Sequence, residues 1–218
     1  DYGVVDHHSI YNVSEVSISA WINLDDNDTD SRVIFSNYQQ TASGRNGYEI
    51  MVNDDAQFIF RFGFGSSSGS CESDEKITEN NWTLVTGTYD GSSIKIYIND
   101  QHVKTCGYNQ DISDSDGEQV FGASDENSDG SYDNFFDGTI DEVVIWKKAI
   151  SSNDIENIFW GGNSQKPKVD ASEGGYAFRL TVDETSLKNF HLMSTGSDIG
   201  ESSGDAGLII EGTEGDPV

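Results

Sequence analysis

The chain has 218 residues, a mass of 23.9 kDa and a formal net charge of −27, from 39 acidic and 12 basic residues. This balance excludes nucleic acid as a partner, because proteins neutralise phosphates with Lys and Arg. It also requires cations to screen the self-repulsion of the folded chain, and either a high-salt or a calcium-rich medium would supply them. The acidic residues are spread over the whole chain, which favours the halophilic interpretation without excluding calcium.

Short stretches of alternating or β-branched apolar residues recur between clusters of Gly, Asn, Asp and Ser. This pattern is typical of β-sandwiches and barrels, and the length suits a single domain. The 11 Phe, 9 Tyr and 4 Trp are large enough to fill a layer between two sheets. Nine strands are predicted, at Val16–Leu24, Arg32–Asn37, Tyr48–Val52, Gln57–Phe64, Trp82–Tyr89, Ser93–Ile98, Gln101–Cys106, Gln119–Ala123 and Gly138–Trp146.

Two tight turns order three of these strands. Asp90-Gly91 follows "WTLVTGTY" and Asn99-Asp100 follows "SSIKIYI". Asn, Asp and Gly tolerate the positive φ angles that two-residue hairpins need. The strands around these turns are therefore predicted to be consecutive and antiparallel.

One short helix is predicted at Ser151–Trp160. Ser151 and Asp154 fit a capping box, and two glycines at 161 and 162 end the segment. Its apolar stripe consists of Ile155, Ile158 and Phe159. We expect this helix to close one edge of a sandwich, because a single helix after many strands does not form a parallel crossover.

The segment 163–218 begins as a linker, "NSQKPKVDASEGG", and then offers the strand-like pieces "YAFRLTV" and "GLIIEG". We assign it to the same domain as a linker plus terminal strands. Its low hydrophobicity and high charge leave a disordered tail as the alternative.

The two cysteines, Cys71 and Cys106, belong to no metal-binding spacing. They fall in segments predicted to be neighbours in one sheet, which favours a disulfide over two free thiols. A disulfide indicates an extracellular location, secreted or at a cell surface. No apolar run approaches ~18 residues, so membrane insertion is not expected.

Three segments, "VSISAWINL", "NNWTLVTGTYDGSSIKIYINDQHV" and "FFDGTIDEVVIWKKAISSNDIENIF", resemble in order and spacing the signature segments of laminin-G-like, concanavalin A-like domains. The resemblance covers about Asp1 to Gly161. It implies an all-β fold, an antiparallel two-sheet jelly-roll sandwich. "QVFGASDENSDGSYDNFFDGTIDEVVIW" further resembles the calcium-binding segment of pentraxins. Most relatives place a segment like "YAFRLTVDETS" before the first strand, which leaves two interpretations of the chain: it is permuted relative to the usual repeat, or it is cut within a tandem array.

Asp125, Asn127 and Asp129 are spaced two residues apart and are followed by Gly130 and Asp133. Calcium takes about six to eight hard oxygen ligands, and a glycine lets such a loop turn sharply around an ion. The resemblance to pentraxins places this loop where they hold calcium, so Ca²⁺ is the predicted cofactor. The alternative is a solvated acidic loop, which is also how we interpret the acidic runs at 25–30 and 111–118.

Asp141 is a second candidate calcium ligand, by resemblance to β-glucanase-type jelly rolls, in which a matching Asp and carbonyls of an early glycine loop hold an ion. Gly47 is the nearest counterpart of that glycine here.

Glycan binding needs an aromatic face that stacks on a sugar ring and planar polar groups that bind hydroxyls. All four tryptophans fall in positions that the family uses for its core. The predicted ligand-binding residues are therefore in loops, namely Tyr38, Arg45, Tyr108 and Tyr132. The alternative is that such tyrosines are incidental surface residues.

No catalytic residues are predicted, because the paired carboxylates E-x-D-x-x-E of jelly-roll glucanases are not matched. The nearest piece, Glu72-x-Asp74, has Ile77 in place of the third acid. We therefore expect a non-catalytic module that binds carbohydrate or a cell-surface glycan with calcium, beside neighbouring domains of a larger protein. The alternatives are a structural spacer of a tandem extracellular array and, less favoured, a polysaccharide-degrading enzyme.

Overall fold

The computed structural model describes residues 1–25, 31–42, 44–127 and 129–161, and the backbone of three further strands at 177–180, 190–194 and 208–212. Most of the acidic run at 25–30 and the predicted linker at 163–175 lie outside these residues. The assignment of the whole chain to one domain, permuted or not, stays a prediction.

Sixteen strands and one α-helix are present among the described residues, together with a single 3₁₀ turn at Ser9–Tyr11. The strands are β1 (Gly3–Val5), β2 (Val16–Leu24), β3 (Arg32–Ser36), β4 (Gln39–Thr41), β5 (Gly44–Asn46), β6 (Tyr48–Val52), β7 (Gln57–Gly63), β8 (Ser68–Lys76), β9 (Thr83–Tyr89), β10 (Ser93–Ile98), β11 (Gln101–Gly107), β12 (Gln119–Phe121), β13 (Gly138–Trp146), β14 (Ala177–Leu180), β15 (Phe190–Ser194) and β16 (Leu208–Gly212).

Two large sheets form the molecule. The first has the order β1-β12-β3-β6-β7-β8 and the second has the order β11-β10-β9-β2-β13-β14-β16-β15. All pairs are antiparallel except β14 with β16, and β4 and β5 form a separate hairpin. The fold is therefore the predicted jelly-roll sandwich, mostly β with one short helix.

The core lies between the two sheets, because buried side chains recur at every second position of their strands and face the opposite sheet. On β2 and β7, every second side chain is fully buried, as in Phe58, Phe60 and Phe62. These rings pack against aliphatic residues of β2, β9 and β10 in one cluster. Since each aromatic side chain buries a large area, a chain with few aliphatic residues still fills its interior.

All nine predicted strands are present, four of them with the predicted bounds. Asp90-Gly91 and Asn99-Asp100 form the predicted hairpins, and Asn99 has the expected positive φ of 56°. Four strands within 1–161 were missed, namely β1, β4, β5 and β8. β8 was missed because its buried positions are Gly69, Cys71 and Ser73, which do not form the alternating pattern of apolar residues that predicts a strand.

The helix α1 (Ser152–Gly161) has the predicted capping box. The Ser151 N–H donates to Asp154 Oδ2 at 2.9 Å, and the Asp154 N–H donates to Ser151 Oγ at 3.2 Å. The helix covers the outer face of the eight-stranded sheet rather than an edge, because Ile155 and Ile158 pack on side chains of β9, β10 and β13. None of the helices in the described part of the chain has the length and hydropathy that a membrane span requires.

Cys71 and Cys106 form the predicted disulfide, with Cα atoms 5.6 Å apart. The prediction that they share one sheet was wrong. Cys71 lies on β8, an edge of the six-stranded sheet, and Cys106 lies on β11, an edge of the eight-stranded sheet. The bond therefore joins the two layers of the sandwich along one side.

The prediction that all four tryptophans lie in the core was also wrong. Trp146 is buried and Trp21 stacks on Phe159, but Trp82 and Trp160 are 42% and 61% exposed. Trp160 follows the buried positions of α1 and donates its Nε1–H to Asp100 at 3.2 Å.

Candidate functional site

A cavity of about 370 Å³ opens at the end of β3. Its first wall is the segment 37–39, which follows β3 directly. Asn37 crosses the start of β6, since its N–H donates to Tyr48 O at 3.0 Å and its Oδ1 accepts from the Tyr48 N–H at 2.8 Å. Gly47 permits this approach because a Cβ there would lie 2.2 Å from Asn37 O, and its φ is +71°.

The second wall is the segment 116–120, which leads into β12. Pairing of Val120 with Ser36 places this segment beside the first wall. Ser115 joins the two, because its hydroxyl donates to Asn37 O at 2.7 Å and is 2.9 Å from Gln39 Oε1. Two segments about 80 residues apart in sequence thus form one rim.

The third wall is the loop 124–133, closed at its base by two hydrogen bonds between the backbones of Ser124 and Asp133. Within it, the two carboxylate oxygens of Asp125 accept the N–H groups of Asp129 and Gly130 at 3.1 and 3.0 Å. The loop is tied to β4 by the Gln40 N–H, which donates to Glu126 O at 2.6 Å.

The cavity has the volume of a small-ligand site. Three of the residues singled out in the sequence converge on it, namely Tyr38, Tyr132 and Asp125. The full lining is Ser36, Asn37, Tyr38, Gln39, Asp116, Gly117, Glu118, Val120, Asp125, Gly130 and Tyr132.

An exposed aromatic group adjoins the cavity through Tyr132. The ring of Tyr2 lies 4.5 Å from that of Tyr132 and 5.7 Å from that of Phe135, measured between centroids. Tyr2 is 41% exposed and Phe135 is 48% exposed. We call Tyr2, Tyr132 and Phe135 the aromatic platform. Tyr2 and Phe135 were missed in the sequence, and their only signal was a large aromatic residue beside a polar segment.

Tyr132 is held by a second contact. Its hydroxyl donates to Glu118 Oε2 at 2.6 Å, and this hydrogen bond raises the pKa of Tyr132 to about 12. The ring of Tyr132 is therefore held by two contacts, a hydrogen bond from its hydroxyl to Glu118 and the ring of Tyr2 against its face. A fixed ring loses little conformational entropy when a ligand stacks on it.

Behind Tyr38 lies a buried ionic group. The Arg61 guanidinium contacts the fully buried carboxylate of Glu49 and reaches Glu126 of the third wall at 2.5 Å. It also lies 4.2 Å over the Tyr38 ring. Burial lowers the pKa of Arg61, but Glu49 and Glu126 outweigh that effect and raise it. Burial raises the pKa of Glu49 to about 7 despite the opposing charge of Arg61.

Of the predicted calcium ligands, the loop brings Asp125, Asn127, Asp129 and Asp133 into one turn, but the carboxylates of its three aspartates do not meet at a common centre. Asp133 Oδ1 accepts from Ser124 Oγ and Asn134 Nδ2 instead. No group of three or more His, Cys, Asp or Glu placed to hold a metal is found in the described ranges. The carboxylates of Asp125 and Asp133 accept hydrogen bonds from protein donors in this loop, and calcium binding by the loop stays a prediction.

The two residues of the other predicted calcium pair lie in different parts of the fold, Asp141 on β13 and Gly47 in the turn before β6. Asp141 lies on β13 opposite Trp21, is half-buried, and its Oδ1 accepts the N–H of Glu142 at 2.7 Å. Gly47 precedes β6, and its N–H donates to Ser113 O at 2.8 Å. Gly47 thus has a structural reason, the close approach of Asn37, that is independent of any ion.

The remaining predicted ligand residues lie away from the cavity lining. Tyr108 packs edge-on against Phe62, and its hydroxyl bonds both backbone groups of Ser70, at 3.0 and 2.7 Å. Arg45 lies on the β4–β5 hairpin, where its Nε–H donates to Gln40 Oε1 at 3.1 Å. Tyr108 therefore fastens β11 to β8, and Arg45 braces the hairpin next to the first wall.

Several solved structures share this architecture. A "putative carbohydrate binding protein" from Bacteroides ovatus is 20% identical over 88% of this chain and 52% of its own, with a TM-score of 0.62. The carbohydrate-binding module CBM40 of the Ruminococcus gnavus IT-sialidase, bound to α2,3-sialyllactose, is 11% identical over 69% and 85%, with a TM-score of 0.59. A pentraxin from Limulus polyphemus is 16% identical over 72% and 80%, with a TM-score of 0.50.

These identities show a common fold. The chain spans about half the length of the Bacteroides ovatus protein, and no curated protein sequence matches it. The family model of the laminin G type, described as the concanavalin A-like lectin/glucanases superfamily, matches residues 1–156. Because this match covers well over half of the chain, the protein belongs to the concanavalin A-like lectin/glucanases superfamily.

Proposed function

We propose that this chain is a non-catalytic glycan-binding module whose site is the cavity together with the aromatic platform. The observation that carries the proposal is Tyr132, which belongs to both: its ring extends the platform, and its hydroxyl bonds Glu118 in the cavity wall. A sugar presents an apolar ring face and a rim of hydroxyls, so it needs both kinds of surface at once.

The platform supports stacking because Tyr2 and Phe135 are large, exposed and adjacent. The walls support hydroxyl recognition because Asn37, Gln39 and Asp116 offer planar amide or carboxylate groups. Similar structures named for carbohydrate binding agree with this assignment.

Binding without catalysis is supported by the placement of the perturbed carboxyl. A glycosidase needs a carboxyl of raised pKa next to its substrate. The described carboxyl group with the raised pKa is Glu49, which is fully buried behind Arg61 and is not part of the cavity lining. Glu72 and Asp74 lie on β8 with exposed side chains, and Asp74 contacts Lys104.

We further propose an extracellular setting, secreted or at a cell surface, beside neighbouring domains; the Cys71–Cys106 disulfide supports it. Calcium support of the 124–133 loop is also a proposal. Its oxygen-rich composition supports it, and it requires Asp125 and Asp129 to exchange their backbone hydrogen bonds for the ion.

The test is binding of the purified chain to an array of oligosaccharides and to insoluble polysaccharides, with and without calcium, followed by assay for released products. We expect retention on at least one glycan and no product. The matched variants are Tyr2→Ala, which removes a platform ring, and Trp160→Ala, which removes an exposed ring from another surface. Equal retention of both variants would contradict this site, and retention of the wild type on no glycan would favour a structural spacer.

A further inference from the structure

The charge of the cavity restricts which glycans fit it. Its eleven lining residues include the acidic Asp116, Glu118 and Asp125 and no Lys or Arg. A ligand in the cavity is therefore close to three carboxylates and to no lining cation.

The neighbouring arginines do not offset this charge. Arg61 is already bound to two carboxylates, Glu49 and Glu126, so this ionic group adds no net positive charge. Arg45 donates its Nε–H to Gln40 and does not line the cavity. Over the whole chain the net charge of −27 has the same sign.

Two unused polar groups point to a ligand rather than to mere surface charge. Tyr38 lines the cavity and is 1% exposed, yet its hydroxyl has no hydrogen-bond partner among the described residues. A buried hydroxyl without a partner is costly, and a polar ligand group that reaches it from the cavity would satisfy it. Asp116 is exposed and makes no ion pair within the described residues.

From these features, and resting on the function proposed above, we propose that the cavity selects glycans without acidic groups and prefers those with a free amine over acidic ones. A carboxylate or sulfate on the sugar would meet like charges at close range, whereas a protonated amine would meet opposite ones. Selection of this kind works by repulsion as much as by attraction.

Two matched pairs of oligosaccharides test the proposal, measured in EDTA at low and high NaCl. Lactose and α2,3-sialyllactose differ by one acidic sugar, and the tetramers of glucosamine and N-acetylglucosamine differ by their free amines. We expect each more negative member to bind at least about tenfold more weakly at low salt, and the gap to shrink at high salt. Equal or tighter binding of sialyllactose than lactose would overturn the inference.

Two variants distinguish the effect of the cavity carboxylates on binding from the effect of the net charge of the whole chain. Asp116→Asn should reduce the difference in affinity between the two sugars of each pair, because it removes a lining carboxylate. Glu79→Gln removes the same charge from an exposed position after β8, at the end of the sheet opposite the cavity, and should leave the gap unchanged. Equal effects of the two variants would overturn the inference. Binding of none of the four sugars would overturn it as well, and retention on the oligosaccharide array would then still support the proposed function.

Discussion

The guanidinium of Arg61 lies 4.2 Å over the ring of Tyr38 and at the same time contacts Glu49 on β6 and Glu126 in the 124–133 loop. One side chain thus joins the sheet, the first wall of the cavity and the third wall. Because Arg61 is mostly buried and presents several donors in a fixed plane, it holds these three parts in one geometry.

Replacing Arg61 with Gln should lower the free energy of unfolding by about 3 kcal/mol, because the buried Glu49 carboxylate loses its partner. Urea unfolding at neutral pH measures the change. The control is Lys76→Gln, which breaks an exposed ion pair with Asp55 and should cost less than about 1 kcal/mol. Similar costs for the two variants would contradict the role of Arg61.

The pH dependence of stability should change in Glu49→Gln. The pKa of Glu49 is raised from 4.5 in the unfolded chain to about 7 in the folded one, so the folded state binds more protons between these values. The contribution of Glu49 to the free energy of unfolding therefore falls as the pH rises from about 4.5 to 7, by up to about 3 kcal/mol. The difference between wild type and variant, followed by urea unfolding, should decline across that window and level off above it; a constant difference would contradict this.

The ring of Tyr132 should matter more for glycan affinity than its hydroxyl. Tyr132→Ala removes the part of the platform that borders the cavity and should weaken binding about tenfold, or about 1.4 kcal/mol. Tyr132→Phe loses only the bond to Glu118 and should stay within about threefold of the wild type. Titration calorimetry with a glycan identified on the array measures both, and a larger loss for Phe than for Ala would reverse the assignment.

Loss of the disulfide should destabilise the sandwich markedly. The bond closes a loop with a sequence separation of 35 residues, for which chain entropy gives about 3 to 4 kcal/mol. Cys71→Ser/Cys106→Ser should therefore unfold at lower urea than the wild type, and reductant should lower the midpoint of the wild type alone. A midpoint unaffected by the double substitution would show that the edges hold together without the bond.

Salt and calcium should separate the two explanations of the acidity. NaCl should raise the melting temperature of every variant, because it screens a net charge of −27. At matched ionic strength, CaCl₂ should raise it further in the wild type and not in Asp125→Asn/Asp129→Asn, if the loop rearranges around an ion. An identical response of wild type and variant to calcium would leave charge screening as the whole effect.

Much of the strand pattern was predictable because apolar and polar residues alternate locally along the sequence of these strands. β2, β6, β10 and β13 have the predicted bounds, since their apolar residues mark both the buried face and the length. β8 was not predictable in this way, because Gly69 and Ser73 face the interior without apolar side chains.

The candidate site was predictable only in part. Tyr38, Tyr132 and Asp125 were singled out, and all three line the cavity. Tyr2 was not singled out, because it becomes a neighbour of Tyr132 only through the pairing of β1 with β12. These two strands are more than a hundred residues apart in the sequence. Tyr108 was singled out for its loop position, and the structure instead uses its hydroxyl to bind Ser70.

Local alternation of apolar residues was enough to predict a two-layer β-sandwich, because alternation decides which side chains are buried, and two cysteines allow a single disulfide pairing. Two hairpin turns predicted that β9, β10 and β11 are neighbours, but the other strand neighbours required the tertiary structure, and so did the finding that the segments 37–39, 116–120 and 124–133 surround one cavity. The physical reason is that backbone hydrogen bonds between strands are alike for any pair, so the order of strands depends on the packing of the whole chain.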